Sequence, residues 1–481
     1  MDAASAAIDP ALLLREVGSF AIDSREVRAG DVFFALSQPE YRDNCFNGDF
    51  DDSTKYVVSA FEKGAVAAVV RSDRFEEHKA ELEQFRDRLI FVEDAIAAFQ
   101  RLSHGVYLEW DKKVVAITGS AGKTTAKELT AQVLEGSGRK VLKNVKNYNN
   151  GLGLPLTVLK LVADNSYDVA VLEMGMSTPM NEIARLCRIT PPDIAVVLNV
   201  LPVHVEHLGS IENVAKAKAE IIEGMKPGGI AVLNADDPLV AEMQRLVPGE
   251  TITFGIDKQA DVMASEIESA GFGETSFLLT TEFDGGAKVT FPLNGKHNIL
   301  NALAAAAIGR AFGMTANEIA KCLSSVTAPP QRGEVLHFVA GFTVINDSYN
   351  SNPSALMSMI ETLVEAAGAK RKIVVAGEML ELGPDAEKIH RETGKGIAMS
   401  GVDILVGVRG LANEIVDGAR SAGFGSAEFV EDSATAADRV AEIATAGDVI
   451  LIKGSRGVRT EVIVEKLLEK FALEEEMAAA R

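Results

Sequence analysis

Cysteine is scarce in this sequence, three in 481 residues. Cys45, Cys187 and Cys322 stand far apart without metal-ligand spacing, which fits structural thiols in a reducing compartment. The seven histidines form no zinc signature either. Uninterrupted apolar runs of about 18 residues are missing, and the N-terminus lacks a basic stretch followed by an apolar core. Neither a membrane span nor a signal peptide is supported, and a cytoplasmic location is expected. Positive charge is also short, with 48 basic against 69 acidic residues and a net charge of −21. That balance argues against a nucleic-acid partner, which needs a basic face. An anionic phosphorylated ligand must instead be held by local devices: loop amides, a few Lys and Arg side chains, and metal ions.

Apolar material is ample, 47% of residues, in a chain too long for one core; its length predicts about three domains. One stretch organises the rest. Val114 to Ile117 has the β-branched, apolar character of a buried parallel strand, and Lys123 to Leu134 is rich in helix formers. Between them, Gly119-Ser120-Ala121-Gly122 can turn backbone amides inward around an anion at a helix N-terminus. Lys123 can then reach β- and γ-phosphates, and the Thr124 hydroxyl can ligate Mg²⁺. Ile117 stands where the full Walker pattern has glycine, so the motif alone also fits an ordinary strand-to-helix turn.

Residues 1–110 read as a small α/β unit in which Arg25 sits at a turn, most simply as a surface ion pair. The polar and aromatic stretch from Gln38 to Thr54 reads as a long surface loop. Residues 111–327 repeat strand then helix, with strands at Val114 to Ile117, Val141 to Lys143, Asp168 to Leu172, Ile194 to Leu198 and Ile230 to Leu233. This predicts a mostly parallel sheet with helices on both faces and a ligand beyond the C-terminal strand ends. Glu173 ends one strand, where it can share a Mg²⁺ with Thr124 or simply face water. His204 and His207 lie in one loop without a third ligand. Lys218 falls on the apolar stripe Ile211, Val214, Ile222 and Met225, so it must snorkel, find a partner or lose its charge. The amide-rich loop from Asn144 to Pro155, with Asn147 and Asn150, follows the second strand and is expected over the phosphate site. Asn234 to Pro238 reads as a helix cap. Asp261 to Leu293 alternates as hairpins with a turn at Asp284-Gly285-Gly286. Asn298 and Asn301 then share a helix face whose amides can meet an adenine edge. A proline-stiffened linker around Pro329-Pro330 leads into residues 328–481, a further open α/β sheet.

In order, Gly119-Ser120-Ala121-Gly122-Lys123-Thr124-Thr125, Asn147-Tyr148-Asn149-Asn150, Glu173-Met174-Gly175, the His204 loop, Ala217-Lys218-Ala219-Glu220-Ile221, His297-Asn298-Ile299-Leu300-Asn301 and the run from Asn346 to Pro353 closely resemble the Mur ligase family of peptidoglycan synthesis. The resemblance spans nearly the whole chain. It implies an N-terminal UDP-sugar-binding α/β domain, a central P-loop parallel-sheet ATPase and a C-terminal Rossmann-like α/β domain. By the same resemblance, Gly119, Ser120, Gly122, Lys123, Thr124 and Thr125 bind the ATP phosphates, Asn298 and Asn301 the adenine, and Asp347 the ribose. Thr124 and Glu173 hold Mg²⁺, His204 a second ion, and Lys218 ligates metal as a carbamate. Lys123, His204, Lys218 and Arg332 are the implied catalytic set; Ser24, Arg25, Asn147, Asn150, Tyr349 and Asn350 are the implied substrate contacts. Asp347 to Asn350, Asn352-Pro353 and Gly377 to Gly383 are most similar to the member that joins D-alanyl-D-alanine to UDP-N-acetylmuramoyl-tripeptide through an acyl phosphate. A sibling ligase with another amino acid and a non-catalytic nucleotide-binding partner stay open, and a monomer is expected. Two departures stand out: Tyr41 to Phe46 replaces the usual Asp-Gly-His run, and Gly377-Glu378 stands where aspartate is commoner.

Overall fold

The structure is a computed structural model; it describes residues 12–474 except 45, 47–49, 146–147, 177–180, 202–207, 272, 283–284 and 369. Three sheets, of four, nine and six strands, follow one another along the chain. The first is parallel throughout, in the order β1 (Phe20–Ala21), β2 (Val32–Phe34), β3 (Ala67–Arg71), β4 (Leu89–Val92). Its central strands are covered on both faces, by Val57, Phe61 and Phe75 on one side and by Ile96 and Phe99 on the other. Strands covered twice read as unbroken apolar runs. The helix Ala95–Trp110 begins at the Asp94 cap and serves two cores: Ile96 and Phe99 pack on the first sheet, Tyr107 and Trp110 on the second.

The stretch from Gln38 to Thr54, expected from its composition to be a surface loop, is helical at its start, while residues 45 and 47–49 lie outside the described residues. Gln38–Asp43 is a helix opened by a Ser37/Glu40 capping box with Pro39 in its first turn. Glu40 is fully buried and accepts from the Ser37 amide at 2.7 Å and from the Ala95 amide. Tyr41 stacks on Phe50, ring centroids 3.9 Å apart. The Ser-x-x-Glu spacing carried the helix signal; the composition hid it, because Glu40 and Tyr41 turn inward, Glu40 onto the start of the Ala95–Trp110 helix.

The second sheet comprises β5 (Lys113–Thr118), β6 (Val141–Lys143), β7 (Val169–Glu173), β8 (Ile194–Val197), β9 (Ile230–Asn234), β10 (Glu250–Gly255), β11 (Val262–Gly271), β12 (Glu274–Thr281) and β13 (Gly285–Phe291). Its order is β13-β12-β11-β10-β9-β8-β5-β7-β6. The strands from β6 across to β11 pair in parallel, and β11-β12-β13 is an antiparallel meander. The five strands and the hairpins expected from sequence are present; Asp284 of the expected turn lies outside the described residues. Helices Lys123–Gly136 and Lys296–Ala311 cover one face, Glu182–Ile189 and Ile211–Glu223 the other. Ala302, Ala304, Ala305, Ala306 and Ala307 are completely buried, and such small side chains let two helices lie close.

The third sheet has β14 (Glu334–His337), β15 (Thr343–Asp347), β16 (Lys372–Gly377), β17 (Ile404–Val408), β18 (Ala427–Val430) and β19 (Val449–Lys453). The order is β14-β15-β19-β16-β17-β18, parallel except for the edge strand β14. Because β15 and β19 are neighbours, their last residues, Asp347 and Lys453, stand side by side.

Replacing Glu40 by Ala leaves the Ser37 and Ala95 amides without their acceptor, which should destabilise the N-terminal unit by about 1–3 kcal/mol. Urea unfolding followed by tyrosine fluorescence should show a lower first midpoint; an unchanged midpoint would contradict the buried role of Glu40.

Candidate active site

The site begins where β5 ends. β5 lies between β7 and β8, so the loop that leaves it is flanked by the ends of both neighbours. Gly122 adopts φ +82° and precedes the helix Lys123–Gly136; a Cβ there would stand 2.4 Å from Asn301 Oδ1. Glycine is required twice over, by the left-handed conformation and by the close approach. From the β8 side, Asn199 clamps the loop: its carbonyl accepts from the Ser120 amide at 3.0 Å, its Oδ1 from the Ala121 amide at 2.8 Å, and its Nδ2 donates to the Ala121 carbonyl at 3.1 Å. The first-turn amides of the following helix have no intrahelical partner and can serve an anion.

From the β7 side comes Glu173, 3% exposed. One carboxylate oxygen accepts from the Thr124 hydroxyl at 2.8 Å, the other from Asn149 Nδ2 at 2.8 Å. Asn144 ties this strand end to its loop, donating to the carbonyls of Tyr148 and Glu173 and accepting from the Glu173 amide, all within 3.0 Å. A carboxylate and a hydroxyl that converge are the hard-oxygen donors that Mg²⁺ takes.

Lys123 is half-buried and donates to the carbonyls of Gly119 at 2.8 Å and Ser120 at 3.3 Å. Loss of solvent holds its pKa below the usual lysine range; Glu173 pulls it back up, and Arg332 pushes it down again. Lys218 is 2% exposed. Burial first, and Lys123 second, drive its pKa far below the lysine range, and among the described residues it makes no hydrogen bond or ion pair. Of the three fates open to a lysine on an apolar stripe, snorkelling is excluded by this burial, and burial favours the neutral amine.

The opposite wall comes from the third sheet. The Arg332 guanidinium lies over the Tyr349 ring at 4.2 Å. Lys453 is buried, pairs with Asp347 and donates to the Asn350 carbonyl at 3.0 Å. His297, at the start of the helix Lys296–Ala311, is pulled down to about 4 by burial, against the opposing pull of Asp347, and is therefore neutral. The two walls enclose a cleft of about 220 Å³ lined by Lys123, Glu173, Asn298, Asn301, Arg332 and Asp347 among others.

Ser120, Gly122, Lys123, Thr124, Thr125, Tyr349 and Asn350 also line this cleft. Asn298 spends its amide on the Asn294 carbonyl at 2.8 Å. Asn150 turns away: its Oδ1 accepts from the amides of Leu152 and Gly153 and opens the next helix. Its neighbour Asn149, outside the set named from sequence, reaches Glu173 instead. Arg25 is exposed and paired with Asp23 at 2.7 Å, and the Ser24 carbonyl accepts from Lys63 at 2.7 Å; both belong to the first unit, away from the cleft. Asn147 and His204 lie outside the described residues. Sequence reasoning also passed over Asn199, His297 and Lys453. Each sits at a strand end or a helix start, the one signal available for it.

A P-loop sheet facing a second parallel sheet across a cleft of Lys, Arg, Glu and Asp defines a class, the multidomain nucleotide-dependent ligases. Residues 117–309 match the Mur ligase middle domain, and residues 331–456 match the Mur ligase, glutamate ligase domain. The UDP-N-acetylmuramoyl-tripeptide--D-alanyl-D-alanine ligase of Bacillus subtilis (strain 168) is 35% identical over 93% of each chain. Of solved structures, MurF from Acinetobacter baumannii superposes with a TM-score of 0.81 at 27% identity, covering 94% of this chain and 93% of that one. MurF ligase from Thermotoga maritima in complex with ADP gives 0.77 at 30% identity over 95% and 97%. The chain belongs to the Mur ligase family.

Gly122→Ala combines left-handed strain with a clash on Asn301, and should weaken ADP binding by about tenfold or more. Calorimetric titration checks this, with circular dichroism confirming an intact fold; unchanged affinity would remove the Gly122 turn from the phosphate site.

Proposed function

We propose that this chain joins D-alanyl-D-alanine to UDP-N-acetylmuramoyl-tripeptide, driven by ATP, giving UDP-N-acetylmuramoyl-pentapeptide, ADP and phosphate. The observation that carries the reading is the convergence of Lys123, the Thr124–Glu173 pair and Arg332 on one cleft in a chain so similar to ligases of that name. In our reading, residues 1–110 bind the UDP-sugar, 111–327 bind ATP, and 328–481 close over the nucleotide. The enzyme works as a cytoplasmic monomer on small molecules; no described helix is long and apolar enough to cross a membrane.

Amide formation from a carboxylate needs a better leaving group than oxide. The tripeptide carboxylate therefore takes the γ-phosphoryl group of ATP, the dipeptide amine attacks the resulting acyl phosphate, and inorganic phosphate departs. Two anions must meet in the first step, so charge neutralisation is the main catalytic demand. Lys123 and Arg332 answer it from the two walls. We assign Gly119, Ser120, Gly122, Thr124 and Thr125 to the phosphates, Asn298 and Asn301 to the adenine side, and Asp347 to the ribose. Ser24 and Arg25 serve the uridine end; Asn147, Tyr349 and Asn350 serve the peptide substrates, and Asn150, committed to its helix cap, does not. Thr124 and Glu173 would hold Mg²⁺, which when bound supplies further neutralisation of phosphate charge. Burial favours the neutral form of Lys218; that amine can add CO₂ and lose a proton, becoming a carbamate whose oxygens would suit a second metal ion together with His204.

Phosphate release by the purified protein with ATP and Mg²⁺ should require UDP-N-acetylmuramoyl-tripeptide together with D-alanyl-D-alanine and yield a pentapeptide product by mass. Release only with UDP-muramoyl-dipeptide and a single amino acid would keep the mechanism and change the substrate. Lys218→Ala should lower turnover by about 100-fold or more, without rescue by bicarbonate and with ADP binding retained; wild-type turnover would take Lys218 out of the mechanism.

A further inference from the structure

Lys127 is a buried lysine outside the lining of the nucleotide cleft. It lies one turn along the helix Lys123–Gly136 from Lys123 and is 1% exposed. Burying an ammonium is costly unless hydrogen bonds and an opposite charge replace its water, whereas a methionine of similar volume would carry no such cost. Here the replacement is supplied. Lys127 Nζ donates to the Asn144 carbonyl at 2.5 Å and pairs with one Glu128 oxygen at 3.1 Å, while the other Glu128 oxygen takes Lys143 at 2.5 Å. Since Lys143 already answers Glu128, the contact peculiar to Lys127 is the one to Asn144.

Asn144 passes that hold to Glu173. Its backbone carbonyl takes the lysine, its Oδ1 accepts from the Glu173 amide at 3.0 Å, and its Nδ2 donates to the Glu173 carbonyl at 2.9 Å. Both backbone polar groups at the end of β7 thus rest on one side chain. The Glu173 carboxylate in turn accepts from the hydroxyl of Thr124, which precedes Lys127 by three residues on the same helix. A closed circuit results, from Thr124 along the helix to Lys127, across to Asn144, on to Glu173 and back to Thr124. Opening it at Lys127 releases the Asn144 carbonyl, and with it the strand end that aims the carboxylate. Mg²⁺ demands near-octahedral geometry, and losing a partner that only orients a metal ligand costs about 10–100-fold in metal affinity.

We infer that Lys127 is a positioning residue for the Mg²⁺ site: its ammonium fixes the Asn144 carbonyl and, through Asn144, the place of the Glu173 carboxylate beside Thr124. The inference rests on the reading of Thr124 and Glu173 as Mg²⁺ donors under the proposed function, and adds to it a residue that touches neither metal nor nucleotide. An apolar side chain could fill the volume of Lys127 but would leave the Asn144 carbonyl without its donor. The same bond ties the P-loop helix to the end of β6. The helix that supplies the phosphate amides and the strand end that supplies the carboxylate therefore keep a fixed separation.

The test is metal binding without turnover. Mn²⁺, which takes the same oxygen donors as Mg²⁺, is titrated into the protein carrying an equimolar amount of ADP, and free Mn²⁺ is read by electron paramagnetic resonance. In Lys127→Met the Mn²⁺ dissociation constant should rise by about tenfold or more, with ADP affinity in EDTA staying within about twofold of wild type. Asn144→Ala should give a similar loss, and the double variant no more than either single one, because both open the same circuit. Lys143→Ala, which leaves the bond from Lys127 to Asn144 in place, should keep the Mn²⁺ affinity of wild type. In steady state, Lys127→Met should need about tenfold more Mg²⁺ and regain the wild-type kcat once Mg²⁺ saturates. Unchanged Mn²⁺ affinity in Lys127→Met, additive losses in the double variant, or an equal fall in ADP affinity in EDTA would each overturn the assignment. Should Lys127→Met fail to fold, Asn144→Ala decides alone, and wild-type Mn²⁺ affinity there would break the circuit. Failure of the metal reading is separate: Glu173→Ala would then bind Mn²⁺ as tightly as wild type.

Discussion

The site depends on how closely the Lys296–Ala311 helix approaches the phosphate loop. Asn301 can touch Gly122 only because Gly122 has no side chain, and the helix can come that near only because the turns behind Asn301 are alanine. With larger residues in those turns the helix would stand off from the loop. Asn199 presses the same loop from the end of β8, and Thr124 and Glu173 tie its far side to β7. Three parallel strand ends and one helix start thus hold a single short turn, and a turn held on every side presents its amides without reorganisation cost.

Within that frame, charge is concentrated against the grain of the whole molecule. The chain carries a net −21, yet three cations gather here: Lys123 lowers the pKa of Lys218, and Arg332 lowers that of Lys123. Such mutual repulsion is tolerable in two ways, and both are used. Lys218, inside the apolar stripe, is shifted toward its neutral form by burial. Lys123 keeps carbonyl partners and the attraction of Glu173 and Glu381. Under the proposed function, a phosphate held between Lys123 and Arg332 would offset their repulsion. The Tyr349 ring lies 4.2 Å from the Arg332 guanidinium, which limits where that group can go.

Legibility from sequence followed the range of the interactions. The P-loop strand and helix were readable from Val114 to Leu134, since buried parallel strands and helix formers leave local signatures. Lys218 announced itself by breaking an apolar stripe, and its burial follows from that stripe packing against the sheet. The order of motifs carried the family without help from geometry. The 38–54 stretch was misread because a capping box is a two-residue signal set in a polar, aromatic composition, and only contact with Ala95 and Phe50 makes its groups interior. Asn149 was passed over in favour of Asn150 because two adjacent asparagines look alike until backbone direction sends one to Glu173 and the other to a helix start.

By itself, then, the sequence determined what periodicity and motif spacing can encode: alternating strands and helices, a phosphate loop, a lysine on an apolar face, a proline-stiffened linker. Those are properties of neighbours along the chain, governed by local sterics and by the repeat of helix or strand. Tertiary structure decided which distant groups share a volume. That Asp347 stands beside Lys453 depends on β19 inserting between β15 and β16, and that Glu381 faces Lys123 depends on a loop anchored by His390 from the helix that follows. Sheet order and side-chain direction at strand ends come from packing over long sequence separations, and no local pattern specifies them.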